Sequence, residues 1–311
     1  MAASRPDYLS SSWREGIFNN KVVFCTGGAG DICSVQVRAL VYLGANACIV
    51  GRNVEKTTNM AKSLASVRKG ARVLGYGAID VRDFDSLQKA VQDCVKELGG
   101  IDFVIAGAAG TFLARIADMS PRAFKSVIDI DLIGSFNTLK AVLPYLEESA
   151  AKYPATGAAT PANGTGGRIV FISATLQYQG TALLAHGCAA KAGVDTLSSV
   201  AAIEYGPRGI TSNIIAPGPI GGTEGVRRLE SAEGYNKSVA TIPSQRFGTV
   251  KEIADATIFL FGDTGSYVNG DTLVVDGGAW RAQGGANKNG EYPYPEYYLS
   301  TGGPGKTAAK L

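Results

Sequence analysis

The sequence predicts an α/β chain: one doubly wound domain over residues 20–280, with a seven-stranded parallel sheet and helices on both faces. Three observations carry this expectation. Seven short apolar runs recur along the chain, each too short for a helix and rich in Val and Ile, as strands buried on both faces should be. Helical stretches separate most of these runs, and strand–helix alternation means parallel strands joined by right-handed crossovers. Of the 311 residues, 45% are hydrophobic and 18% charged, and 40 are glycine, a core-forming balance with many tight strand-to-helix turns.

Residues 1–19 read as a polar N-terminal arm. "KVVFC" (21–25) is the first strand, followed by a helix over 34–44; "ACIV" (47–50) leads to a helix over 54–67. "RVLGY" (72–76) precedes a helix over 83–98, and "FVIAG" (103–107) a long one over 121–149. A loop rich in Pro, Gly, Ala and Thr (153–167) comes before "RIVFIS" (168–173) and a helix over 184–204. "TSNIIA" (211–216), a helix over 250–261 and "TLVVD" (272–276) complete the sheet. Beyond residue 280 no periodic apolar face continues, and 281–311 reads as a surface tail.

Composition also excludes several functions. Thirty basic against 27 acidic residues leave a net charge of +3, too balanced for a nucleic-acid surface. Cys25, Cys33, Cys48, Cys94 and Cys188 form no C-x-x-C pair, and the single histidine cannot complete a Cys/His metal site; reduced, buried thiols are expected. No run approaches the ~20 apolar residues of a membrane helix, and the N-terminus lacks the apolar core of a secretory signal. A soluble intracellular protein is expected, with no metal, nucleic acid or membrane insertion.

"VVFCTGGAGDIC" ends the first strand and opens the first helix, offering small residues and helix N-terminal amides to a pyrophosphate. Thr26, Gly27, Gly28, Gly30, Asp31 and Ile32 are the cofactor candidates there. The second strand ends in "IVGRN", with Arg52 where an NAD site usually carries an acid; an arginine pairs with a 2′-phosphate, so NADPH is expected. "GAIDVRD" places Asp80 and Val81 near an adenine, and "IAGAAG" leaves room for a ribose at Ala106, Gly107 and Ala108. "IAPGPIGG" carries Pro217, Gly218, Pro219 and Ile220 over the nicotinamide end.

With these motifs, "DIDLIGSFN", the Ser173/Lys191 region and "VVDGG", residues 20–280 resemble the short-chain dehydrogenase/reductase family, whose fold is a Rossmann domain. Two departures stand in the glycine motif, where Asp31 and Cys33 replace glycines. An Asp31 carboxylate pointing inward would repel a pyrophosphate, although the backbone amides of 28–32 remain available. In "HGCAAK" Gly187 stands four residues before Lys191, where alcohol dehydrogenases of this family carry the tyrosine that protonates an alkoxide. Without that donor, ketone reduction would leave a strong base unprotonated. Hydride addition to a conjugated thioester instead gives a delocalised dienolate that needs only hydrogen-bond stabilisation and later protonation. Asp131 replaces the family asparagine; it reads either as a salt-bridged carboxylate or, with Lys191, as a pair that passes a proton through water. Its coincidence with the lost tyrosine favours the second.

These departures, with "AGAAGTF", "FISAT" and "IAPGPIGGTEGVRRL", are similar to one branch of the family, the peroxisomal 2,4-dienoyl-CoA reductases, and "TGGAGDIC" to its fungal members. The resemblance implies NADPH-dependent reduction of 2,4-dienoyl-CoA to 3-enoyl-CoA, with Asp131 and Lys191 as the acid–base pair. It further implies a thioester donor at Ser173, substrate contacts at Thr111 and Phe112, and CoA phosphate contacts at Arg227 and Arg228. Tyr178 is the reserve proton donor, and His186 a further candidate to hydrogen-bond the thioester. The resemblance to the family also implies a homodimer or homotetramer. Ala309-Lys310-Leu311 resembles the tripeptide read by a peroxisomal import receptor. Two rivals stay open: a ketoreductase using Tyr178 or His186 as acid, and an inactive NADPH-binding sensor or scaffold.

Overall fold

All seven apolar runs form strands: β1 Val22–Thr26, β2 Asn46–Val50, β3 Val73–Tyr76, β4 Phe103–Ala106, β5 Arg168–Ile172, β6 Thr211–Pro217 and β7 Thr272–Val275. A computed structural model describes residues 4–153, 165–229 and 239–282. The strands make one parallel sheet in the order β3-β2-β1-β4-β5-β6-β7. Burial follows that order: β1, inside the sheet, is buried throughout, while the edge strands β3 and β7 are half-buried. Strand order reverses between β1 and β4, and the pairing of Thr26 with both Val50 and Ala106 aligns their carboxyl ends. A crevice opens beyond such a switch point.

Helices cover both faces. Against one pack α2 (Asp31–Tyr42), α3 (Val54–Ala65) and α10 (Val250–Phe261); there Phe103 stacks on Phe261 at 4.8 Å and meets Phe18 edge-on at 5.3 Å. Against the other pack α4 (Phe84–Leu98), α6 (Gly134–Lys152) and α8 (Ala185–Tyr205). The local signals explain their bounds. In α4, Asp83 caps the N-terminus, Leu87, Ala90, Val91 and Cys94 make the buried stripe, and Gly99 ends the helix at φ 90°.

Three features go beyond the sequence expectation. The arm is polar in composition yet docked: α1 (Arg5–Tyr8) is followed by buried Leu9 and Phe18, and Trp13 Nε1 donates to Asp255 on α10 at 2.7 Å. The long helix expected over 121–149 is interrupted: α5 (Pro121–Ile128) passes through a π turn, Asp129–Ile133, into α6. Short helices α7 (Leu176–Gln179), α9 (Glu224–Leu229) and α11 (Ala279–Ala282) follow β5, β6 and β7. Among the described residues no helix is long and apolar enough to cross a membrane. Most of the loop over 153–167, the tail beyond 282 with Ala309-Lys310-Leu311, and the Arg228 side chain lie outside the described residues.

Candidate active site

A cleft of about 560 Å³ opens at the carboxyl ends of β1, β2, β4 and β5, within the size range of a cofactor or ligand site. Its floor is glycine by necessity. A Cβ on Gly27, which sits at φ +68°, would lie 2.8 Å from the Gly107 carbonyl, and one on Gly28 would lie 2.6 Å from Ile49. Cys33 fills the place of the third motif glycine, and Gly107 makes that possible: a Cβ there would lie 2.2 Å from Cys33 Sγ. Thr26 Oγ1 accepts from the amides of Gly107 and Ala108 and ties the β1 turn to the end of β4.

Asp31, at the first position of α2, resolves the question its charge raised. Its Oδ2 accepts from the Glu224 amide at 2.6 Å and stands 3.5 Å from Arg227 Nη2, so the carboxylate is taken up by α9 across the mouth of the cleft. Gly30 and Ile32 line the cleft beside it.

At the end of β2 the cleft is bordered by Arg52, Asn53, Lys56 and Thr57. Lys56 lies within the first turn of α3 and escaped the sequence reading; it becomes visible only once Asn53 is seen to cap that helix by accepting from the Lys56 amide at 2.8 Å. Asp80 also lines the cleft but is engaged by Arg82, whose guanidinium hydrogen bonds hold its carboxyl below the usual carboxylate range. Arg52 and Lys56 thus place two cations at this rim of the cleft, with the Asp80 carboxyl near enough to Arg52 to feel its charge. Val81 is buried, and its carbonyl accepts from Asn137 Nδ2 at 2.8 Å. Gly107, Ala108 and Thr111 line the cleft, whereas Ala106 is buried at the end of β4.

The π turn forms one wall of the cleft. It presents Asp131, 3% exposed, whose Oδ1 accepts from the Gly110 amide at 2.8 Å and whose Oδ2 pairs with Lys191 Nζ at 3.2 Å. An extra residue in a helical turn re-aims side chains, and such turns recur at functional sites. Gly134 permits the approach of this helix, since a Cβ there would lie 2.5 Å from Val81. Lys191 also donates to the Ile172 carbonyl at 2.9 Å, leaving one ammonium hydrogen uncommitted to these partners in the cleft wall. Ser173 lies beside it at the end of β5. Gly187 lines the same wall, and a Cβ there would meet Thr111 Oγ1 only at 3.6 Å, so packing does not dictate glycine.

Other candidates stand apart from this wall. Tyr178 does not line the cleft; its hydroxyl donates to Asp195 Oδ2 at 2.7 Å, and burial together with that bond raises its pKa. His186 is fully buried: Nδ1 accepts from the Gly187 amide, and the ring meets Phe112 edge-on at 4.3 Å. Pro217, Gly218, Pro219 and Ile220 do not line the cleft, whereas Thr223, Glu224 and Gly225 just beyond them do. Arg227 is exposed and also donates to the Gly222 carbonyl at 2.7 Å.

Comparison with known proteins agrees with this architecture. A family model described as enoyl-(acyl carrier protein) reductase matches residues 28–279. The chain is 48% identical over 270 residues to a peroxisomal 2,4-dienoyl-CoA reductase, (3E)-enoyl-CoA-producing, of Saccharomyces cerevisiae, covering 86% of this chain and 87% of that one. It is 39% identical to the protein of the same description from Danio rerio, covering 85% and 83%. Among solved structures, a short chain dehydrogenase from Bacillus anthracis superposes with a TM-score of 0.70 at 30% identity, covering 84% of this chain and 96% of that one. Levodione reductase gives a TM-score of 0.76 at 27% identity, covering 85% and 99%. The chain therefore belongs to the short-chain dehydrogenase/reductase family of nicotinamide-dependent oxidoreductases, in the group formed by the peroxisomal 2,4-dienoyl-CoA reductases.

Proposed function

We propose that this protein is a peroxisomal reductase that converts 2,4-dienoyl-CoA to 3-enoyl-CoA with NADPH. The observation that carries the reading is the buried Asp131–Lys191 pair at 3.2 Å, in the cleft wall beside Gly187. The substrate class and the compartment come from the printed names of the relatives. NADPH rests on Arg52 and Lys56 bordering the end of β2.

When bound, the dihydronicotinamide supplies a hydride to C5 of the diene. The chain's own residues manage the remaining charge and proton. Ser173 donates to the thioester oxygen, where negative charge develops as the dienolate forms. Lys191 pairs with the Asp131 carboxylate in the cleft wall, and its remaining hydrogen is available to the water or to a ribose hydroxyl. Together the pair holds a water that gives a proton to the α-carbon as the Lys191 ammonium reprotonates it; Lys191 recovers its proton from solvent, and the product is the 3-enoyl thioester. No phenol is required, because the dienolate takes its proton at carbon and no isolated alkoxide forms.

A ketoreductase would need Tyr178 or His186 as acid. Tyr178 is committed to Asp195 with its pKa raised, and His186 has no exposed surface. NADPH oxidation measured with a dienoyl-CoA, with simple ketones, and with neither separates the reductase from the ketoreductase and from an inactive binding protein. NADPH oxidation with ketones but not with the dienoyl-CoA, or with neither, rejects the proposal. An N-terminal fluorescent fusion should co-localise with a peroxisomal marker, and a diffuse cytosolic signal would reject the compartment.

A further inference from the structure

Behind Ser173 lies a polar cluster that the reaction outlined above does not use. Gln177, on α7, donates from Nε2 to Ser173 Oγ at 3.1 Å and to Asp195 Oδ2 at 2.7 Å. Tyr178, the next residue, donates its hydroxyl to the same Oδ2 at 2.7 Å. Asp195 sits one turn beyond Lys191 on α8, so a single helix carries both an anchor of this cluster and the cleft lysine. The Tyr178 ring leans on Trp280 at a centroid distance of 5.2 Å, which fixes the outer side of the cluster.

The chemistry of these groups leaves one consistent arrangement. A carboxylate only accepts, so Asp195 obliges the Gln177 amide to turn its NH₂ inward; the reverse orientation would set Oε1 against Oδ2. Both amide hydrogens are then spent, one on Asp195 and one on Ser173. Ser173 Oγ, having accepted, must send its own hydrogen elsewhere, and none of its described hydrogen bonds takes it. Ser173 is 4% exposed and lines the cleft, so the open direction for that hydrogen is the cleft itself.

We propose that Gln177 is a positioning residue for the reduction: held by Asp195, its amide commits the Ser173 hydroxyl to donate to the thioester oxygen. The assignment rests on the reductase reading above. It gives Tyr178 a structural task, as the second donor that seats Asp195. It also gives Asp195 a task apart from proton transfer.

A double-mutant cycle tests it. Gln177→Met keeps the shape and removes both donors. It should lower kcat with 2,4-hexadienoyl-CoA roughly 5- to 10-fold, the scale of one lost hydrogen bond, with NADPH binding unchanged. Ser173→Ala should cost at least as much, and the double variant no more than Ser173→Ala alone. Asp195→Asn retains an acceptor for the amide and should stay within about twofold of wild type, whereas Asp195→Leu should fall as Gln177→Met does. Tyr178→Phe, which loosens Asp195 but leaves the Gln177 amide its acceptor, should lower kcat by less than Gln177→Met does.

A second readout does not depend on turnover. 2,4-Hexadienoyl-CoA bound in the presence of NADP⁺ should show a red-shifted dienoyl absorbance, because donation to the carbonyl polarises the conjugated system. Gln177→Met and Ser173→Ala should each diminish that shift, without adding to one another. Should Gln177→Met fail to fold, Gln177→Ala reads the same cycle. The proposal is overturned if the Gln177 variant keeps the wild-type shift and kcat, or if its cost adds in full to that of Ser173→Ala. Wild-type protein that binds the dienoyl thioester without reducing it defeats the reductase reading instead, and the absorbance comparison still judges Gln177.

Discussion

Asp131 and Lys191 are each nearly buried, and each charge is tolerable only because the other is present. Asp131 has a second partner in the Gly110 amide and Lys191 in the Ile172 carbonyl, so both are fixed in orientation before any ligand arrives. Removing one member leaves an uncompensated buried charge, which costs about 3–5 kcal/mol of stability; activity must therefore be compared on variants shown to be folded. With that check made, Asp131→Asn and Lys191→Ala should each lower kcat on the order of 100-fold or more. Lys191→Ala should also weaken cofactor binding, while Asp131→Asn should leave it near wild type. Near-normal turnover in Asp131→Asn, with turnover abolished in Tyr178→Phe, would transfer the proton to the Tyr178 loop. Arg52 belongs to the same scale. If it meets a 2′-phosphate, Arg52→Ala should weaken NADPH binding about 10- to 100-fold, the range of a charge-assisted contact. NADH binding should scarcely change, and equal losses for the two cofactors would defeat the assignment.

Among the elements, α10 shows how a local sequence signal becomes stability. Thr249 and Glu252 form a capping box: Thr249 Oγ1 accepts from the Glu252 amide, and Glu252 Oε2 accepts from the Thr249 amide at 2.8 Å. Arg246 grips the same carboxylate with two nitrogens, at 2.9 and 2.5 Å. The Arg246 hydrogen bonds, helped by those from Thr249, lower the Glu252 pKa to about 2 against partial burial. Its contribution is therefore fully present above pH 4.5 and is lost as the pH falls toward 2. Glu252→Gln should melt below wild type at neutral pH, and the gap should narrow below pH 4.5 and close near pH 2. A gap that is constant with pH would show that the charge of Glu252 is irrelevant. The π turn between α5 and α6 makes the opposite point, because no cap, proline or glycine run in "VIDIDLIGSFN" announces it. It arises where the helix must bring Asp131 to Gly110 and Lys191 while Gly134 passes against Val81.

On the scale of the whole molecule, the cleft is assembled from the β1 turn, the end of β2, the segment after β4, the π turn, the end of β5, α8 and the start of α9. A dinucleotide that binds there contacts both halves of the sheet, so it should stabilise the domain as one unit. NADPH at 100 times its Kd should add about 2.7 kcal/mol and shift a single melting transition. At the same concentration NADH should shift it less, and Arg52→Ala should bring the NADPH shift down to that of NADH. Two separate transitions, with only one responding, would contradict a single cooperative domain. The sequence by itself determined the seven strands, their alternation with helices and the placement of Arg52 at the end of β2. Those features are written in short-range patterns of apolar residues, glycines and caps, which fix the local backbone and the face it buries. It also supplied Asp131, Lys191 and Ser173 as candidates, through residue types standing where a family pattern differs. Only the tertiary structure decided that Asp131 meets Lys191, that Asp31 turns to α9, and that Lys56 joins Arg52. It likewise decided that Gln177 stands between Ser173 and Asp195, and that the N-terminal arm is anchored to α10. Each of these depends on sheet register, helix rotation or one extra residue in a turn, and such long-range geometry leaves no periodic trace in the chain.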